Sequence, residues 1–123
     1  MIKFKSLNQN KQFLEILNKK KLNTKYFTVY FGKNLDLYKN QVNKYLNITF
    51  VMKKKIGNAV VRNKVKRKLR SAVQKISKKK QLIDLNYTYI IFGKNNVYKD
   101  KFKLILDEVC KTFKKINQMD SYT

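Results

Sequence analysis

The chain carries three arginines, Arg62, Arg67 and Arg70, and they fall within nine residues of one another. A guanidinium is a planar fork that holds two phosphate or base-edge acceptors at once, which an ammonium cannot do. The segment around them, Lys53 to Arg70, reads Lys-Lys-Lys-Ile-Gly-Asn-Ala-Val-Val-Arg-Asn-Lys-Val-Lys-Arg-Lys-Leu-Arg. Between Asp36 and Asp84 there is no carboxylate at all. Over the 123 residues, 30 Lys+Arg stand against 7 Asp+Glu, a formal charge of +23. A folded domain with that charge repels itself, and a polyanionic partner relieves the repulsion. A general drift toward lysine, which also enriches Asn, Ile and Tyr, accounts for part of the total but not for where the arginines lie.

On a helical wheel the segment divides cleanly. Val61, Val65, Leu69, Ala72, Val73 and Ile76 recur at intervals of three and four and form an apolar stripe. Asn63 and Arg67 fall almost opposite it. Arg62, Lys66 and Arg70 follow down one flank, and Lys64 and Lys68 take the other. No acidic residue is placed to make i, i+4 pairs, so a merely solvated face explains the pattern poorly. A helix turn of about 5.4 Å is close to the spacing of successive phosphates, so cations one turn apart match a nucleic-acid backbone. The break at Gly57-Asn58 opens the helix and adds amide donors at its positive end.

Other chemistries are poorly served. The sequence has no histidine and one cysteine, Cys110, so neither a disulfide within the chain nor a Cys/His metal site is expected. Asp107 and Glu108 are adjacent, and adjacent residues on a helix diverge by about 100°. A protein nuclease needs a histidine base or clustered carboxylates, so the chain is not expected to catalyse through its own side chains. Met1 to Leu7 lacks an apolar signal core, and no run is long enough to span a bilayer. The expected setting is soluble, reducing and cytoplasmic, with no membrane and no obligate protein partner.

The elements that must position the basic segment are legible from periodicity. Asn8 to Lys19 reads as a helix, with Phe13 and Leu17 sharing a face and Leu14 and Ile16 broadening it. Asn8 is its expected cap, Leu7 its staple, and Lys19-Lys20-Lys21 its C-terminal end. Tyr26 to Phe31 is β-branched and aromatic, a strand, and Leu35 and Leu37 are candidates to extend its pairing. Tyr45 to Lys53 alternates and reads as a second strand antiparallel to the first. The basic helix follows to about Lys79, then a strand at Asn86 to Phe92. A closing helix is marked by Phe102, Ile105, Val109, Phe113 and Ile116. The order is α-β-β-α-β-α, with room for a short strand near Leu22 to Thr24, about four strands in all. Strand, crossover helix and strand from Tyr45 to Phe92 imply a parallel pair. With no repeat, linker or proline, one α+β domain spans 1–123, its ordered core about residues 5 to 116 with a short C-terminal tail.

The stretch Lys54 to Arg70 resembles the signature of the bacterial ribonuclease P protein subunit, in which a Gly-Asn-Ala-Val turn opens an Arg-Asn-Arg helix. Chain length, element order and a first helix carrying Phe13 extend the likeness to about residues 5 to 116. The resemblance implies a two-layer α/β sandwich with a mixed sheet and a left-handed crossover, an exception to the usual hand. It implies the catalytic RNA of ribonuclease P and precursor tRNA as partners, in removal of the 5′ leader. On that likeness Asn58, Arg62, Asn63, Lys64, Lys66, Arg67 and Arg70 contact the catalytic RNA. Phe13, Leu17 and Tyr30 line a cleft for the single-stranded leader, with Lys53 and Lys54 at its edge. No cofactor is expected on protein side chains, and Mg²⁺ is expected at the RNA active site.

Three positions depart from the family pattern. Lys64 stands where an arginine is usual and keeps the charge without the fork. Leu17 replaces a common aromatic, which weakens stacking. Thr49 replaces a frequent glycine. Read from the residues alone, Phe13 and Tyr30 fit a packed core as well as a stacking surface. Tyr26, Phe27, Tyr87 and Tyr89 fit the core or sheet surface better than a stacking platform, and Cys110 fits a packed position on the last helix. The alternative of a non-catalytic basic ribosomal or nucleoid protein fits the charge equally but leaves the clustered arginines unexplained.

Overall fold

Alternation of Phe27, Val29 and Phe31 puts three large apolar side chains on one side of a strand, and all three are buried. In a computed structural model, which describes residues 3–7, 10–33, 45–78 and 82–120, this strand is β3 (Phe27–Lys33). It is preceded by β1 (Lys3–Lys5), α1 (Asn10–Leu17) and β2 (Lys20–Asn23). It is followed by β4 (Tyr45–Val51), a 3-10 turn (Lys54–Ile56), α2 (Ala59–Ser77) and β5 (Tyr87–Gly93). A short α3 (Asn96–Lys99) and the closing α4 (Phe102–Asp120) complete the order.

The sheet has five strands in the order β1-β4-β5-β3-β2, one more than the periodicity implied. The addition is β1, a Lys-Phe-Lys stretch too short to show a period, paired in parallel with β4. β4 does run opposite to β3, but the two are not neighbours. β5 lies between them, antiparallel to β3 and parallel to β4. Tyr87 to Ile91 are buried at every residue, and a strand apolar on both faces belongs in the middle of a sheet. α2 joins the parallel neighbours β4 and β5.

The main core lies between one face of this sheet and the helices α2 and α4. Val65, Leu69, Ala72, Val73 and Ile76 of α2 meet Ile105, Val109, Phe113 and Ile116 of α4 over Phe27, Val29, Leu46, Ile48, Tyr89 and Ile91. Cys110 packs half-buried against this core, in the role its position suggested. α1 lies on the opposite face, where Ile16 and Ile90 are buried outside that cluster. Gly32 permits this approach, since a Cβ there would come within 3.0 Å of the Lys19 side chain and 3.4 Å of Ile16.

Lys19 to Lys21 do not end a helix. α1 stops at Leu17, and Lys20 and Lys21 are exposed residues of the edge strand β2. Lysines on an edge strand keep its unpaired backbone from recruiting another chain. The β2–β3 connection is closed by Thr24, whose Oγ1 accepts from the Tyr26 and Phe27 amides and donates to the Phe27 carbonyl. Asn8, Leu35, Leu37 and Lys79 lie outside the described residues, and so do the expectations placed on them.

Candidate nucleic-acid interface

The helix that carries the arginines begins where the sequence breaks. Asn58, in extended conformation, caps α2 by accepting from the Val61 amide through Oδ1 at 3.0 Å. Gly57 precedes it with φ of 155°, and a Cβ there would lie 2.9 Å from Val61 Cβ and Cγ1. The turn therefore needs glycine, and a side chain at this position would push the helix start away. Asn58 was expected to contact RNA. Its carbonyl oxygen is engaged as a cap, which leaves its amide nitrogen for a partner.

From that start α2 presents Asn63, Lys64, Lys66, Arg67 and Arg70 as exposed residues, with Arg62 half-buried. The Arg62 Nε is buried and has no acceptor among the described residues. Arg70 lies 5.0 Å from the Phe4 ring, so its stem and plane rest against β1. Lys64 lies 5.0 Å from the ring of Tyr98 in α3. Among the described residues one ion pair is formed, Lys25 with Asp100 at 3.8 Å. The basic face of α2 has no share in it.

One lysine of the wheel's basic exterior is turned to another use. Lys68 Nζ donates to the carbonyls of Val97, Tyr98 and Asp100 at 3.0 to 3.1 Å. It satisfies the carbonyl end of α3 and ties that helix to α2. The Asp100 side chain accepts from the Tyr26 hydroxyl at 2.5 Å. That hydrogen bond, followed by burial and the Asp100 charge, pushes the Tyr26 phenol up to about 12. Sequence periodicity could not find this brace, because α3 has four residues and its partner lies far away in the chain.

A second surface lies on the opposite face of the sheet. Phe92 of β5 is its centre: Tyr30 meets it edge to face at 5.5 Å, and Phe13 of α1 meets it at 6.4 Å. Phe13, Leu17 and Tyr30 are all half-buried, so they are neither sealed core nor free platforms. Lys53 holds its ammonium 5.3 Å from the Phe92 ring, and Lys21 lies 6.0 Å from the Tyr30 ring. Lys54 is exposed in the 3-10 turn, outside that cluster. The result is a half-buried aromatic cluster between α1 and the sheet with two lysine ammonium groups beside it. This combination suits stacked bases with phosphates alongside.

Phe92 and Lys21 were missed by sequence reasoning. In the sequence Phe92 ends an apolar strand, and only the register Thr28–Phe92 and Tyr30–Ile90 brings it beside Tyr30. Thr49 explains itself in the structure: its Oγ1 accepts from the Leu7 amide at 3.0 Å, anchoring the chain between β1 and α1. No group of three or more metal-ligating side chains occurs among the described residues. Nor is any described helix long and apolar enough to cross a membrane.

The family model described as Ribonuclease P matches residues 1–117. The ribonuclease P protein component of Carboxydothermus hydrogenoformans is 30% identical over 110 residues, which covers 89% of this chain and 88% of that protein. The corresponding protein of Mycoplasma mycoides is 34% identical over 112 residues, covering 89% and 94%. Among solved structures, the RNase P protein from Thermotoga maritima matches with a TM-score of 0.69 at 24% identity, over 90% of this chain and 96% of that one. The Staphylococcus aureus RNase P protein matches with a TM-score of 0.66 at 23% identity, over 90% and 93%. At these identities the two structures speak for the fold.

Proposed function

The chain belongs to the bacterial ribonuclease P protein family, and we propose that its two surfaces divide the work of that ribonucleoprotein between them. Ribonuclease P matures the 5′ end of tRNA, and the chain is its protein subunit. The exposed face of α2, with Arg62, Asn63, Lys64, Lys66, Arg67 and Arg70 and the amide of Asn58, engages the catalytic RNA. The groove formed by Phe13, Leu17, Tyr30 and Phe92, with Lys53 and Lys54 beside it, takes the single-stranded leader of precursor tRNA.

The observation that carries this division is the basic face of α2, which forms no ion pair among the described residues, on one side of the sheet and a lysine-flanked aromatic cluster on the other. A regular array of cations suits a folded backbone, because it reads phosphate spacing and no sequence. Half-buried rings suit a flexible strand whose bases are free to unstack. Neither surface brings together an acid and a base, and the chain has no histidine. The protein's contribution is therefore electrostatic and positional. It lowers repulsion between two polyanions and adds contacts to the leader, while Mg²⁺ at the reaction centre is held by RNA phosphates.

The alternative of a general ribosomal or nucleoid protein draws nothing from these comparisons. Reconstitution tests the proposal. A ribonuclease P RNA mixed with this protein should cleave precursor tRNA at lower Mg²⁺ than the RNA alone. A Mg²⁺ requirement unmoved by the protein would remove the electrostatic role.

A further inference from the structure

A groove of about 450 Å³ opens between the start of α2 and the short helix α3, lined by Ile56, Val61, Asn95, Asn96, Tyr98 and Lys99. We propose that this groove receives one unpaired nucleobase of the same RNA that lies along α2, stacked on Tyr98; the proposal rests on the reading of α2 as the face for the catalytic RNA.

The lining has the parts that a base requires. Ile56 and Val61 are half-buried side chains at the margin of the core and form an apolar floor. Tyr98 supplies a half-buried ring, and every base offers a π-face to such a ring. The Asn95 side chain is exposed and caps no amide of α3, so its amide is free to pair with the donors and acceptors of a base edge. Asn96 donates through Nδ2 to the Lys25 carbonyl at 2.7 Å, while its buried Oδ1 has no partner among the described residues. No carboxylate lines the groove, and the nearby Asp100 side chain is held by Tyr26 and Lys25.

Two features tie the groove to α2. The first is Lys64, an exposed residue whose ammonium lies 5.0 Å from the Tyr98 ring. Lysine is a mobile point charge on a flexible stem. When a base stacks on the ring, the ammonium can swing to the adjoining phosphate, so ring and cation both keep a partner. The second is Lys68, whose three hydrogen bonds hold α3 against α2. Of the cations on α2, Lys68 alone is given three backbone carbonyls among the described residues, and it fixes the ring's position. A ring fixed before binding loses less entropy on contact.

Stacking and phosphate contacts separate experimentally, because phosphate contacts set the salt dependence and stacking does not. Equilibrium binding of a labelled ribonuclease P RNA is measured across a salt series for the intact protein and for Tyr98→Ala, Tyr98→Phe, Asn95→Ala and Arg67→Ala. Tyr98→Ala is expected to weaken binding about tenfold with the salt slope unchanged, and Tyr98→Phe to stay within about twofold of the intact protein. Asn95→Ala, which breaks no side-chain hydrogen bond among the described residues, is expected to cost about threefold, so a folding defect in Tyr98→Ala cannot stand in for the result. Arg67→Ala is expected to flatten the slope. Unchanged affinity in Tyr98→Ala and Asn95→Ala beside a weakened Arg67→Ala would overturn the groove and leave the α2 reading standing. Unchanged affinity in all variants would overturn both. A loss confined to holoenzyme binding of precursor tRNA would assign the groove to the substrate and also defeat the proposal.

Discussion

The basic face of α2 and the aromatic groove under α1, the two surfaces proposed for RNA, both carry lysines, yet they are built in opposite ways. The first is one continuous helix whose residues face outward by their spacing alone. The second takes Phe13 from α1, Tyr30 from β3, Phe92 from β5 and Lys53 from the segment after β4, and exists only when the sheet is assembled. A surface read by charge and repeat can be carried by a single element. A surface read by ring geometry needs a scaffold that sets distances between elements. The two should therefore respond differently to salt and to substitution.

The largest difference should come from the arginines. The double substitution Arg62→Ala with Arg67→Ala is expected to weaken binding of ribonuclease P RNA about a hundredfold at low salt, the scale of two lost charge-assisted contacts. The salt slope should fall by about 0.7–0.9 for each phosphate contact removed. Binding of the isolated RNA across a salt series measures both. Affinity and slope that stay fixed would show that α2 is not the RNA face.

Next in size is Phe92→Ala. Truncating a half-buried ring should lower the unfolding free energy by about 2 kcal/mol, short of the cost at a fully buried site. In the assembled enzyme it should weaken precursor tRNA binding by about tenfold, the scale of one lost base–aromatic stack. Binding of mature tRNA should not change. Equal losses for both ligands would mean that the groove only supports the fold.

Lys68→Met is smaller and sharpens the contrast within α2 itself. It removes a donor from three carbonyls while keeping the apolar stem, so thermal or denaturant unfolding should report a loss of about 1–2 kcal/mol. The salt slope for RNA should stay where it was. A slope that drops as it does for Arg67 would place Lys68 among the phosphate contacts.

The least effect is a pH dependence at the Tyr26–Asp100 link. The unfolded phenol ionises near pH 10, whereas in the fold it keeps its proton to about 12. Whatever stability it contributes is present in full below pH 10 and is lost as pH rises toward 12. Denaturant midpoints over that range should fall less steeply for Tyr26→Phe than for the intact protein.

The same contrast explains what could be read from the residues. The α2 stripe, the outward arginines and the break at Gly57-Asn58 were legible because they are local and periodic. The closing helix was legible for the same reason, with Ile105, Val109, Phe113 and Ile116 buried as spaced. β1 and α3 were not, since three and four residues show no period. Strand order was legible only in part: the parallel pairing of β4 with β5 was expected and is present, whereas the place of β5 between the antiparallel β3 and β4 was not. Phe13 and Tyr30 were named, but Phe92 between them was not, because its place depends on that strand order. Lys68 looked like its outward neighbours on the wheel, and only the distant carbonyls of Val97, Tyr98 and Asp100 distinguish it.

The central claim is that the two surfaces are separable, one for the catalytic RNA and one for the leader. It is tested by measuring the ratio of precursor to mature tRNA affinity in holoenzymes reconstituted with the intact protein, with Arg67→Ala and with Phe92→Ala, each at protein concentrations that saturate assembly. A ratio that is kept by Arg67→Ala and falls about tenfold in Phe92→Ala is the predicted result. A ratio that Phe92→Ala leaves intact, or that Arg67→Ala abolishes, would contradict it.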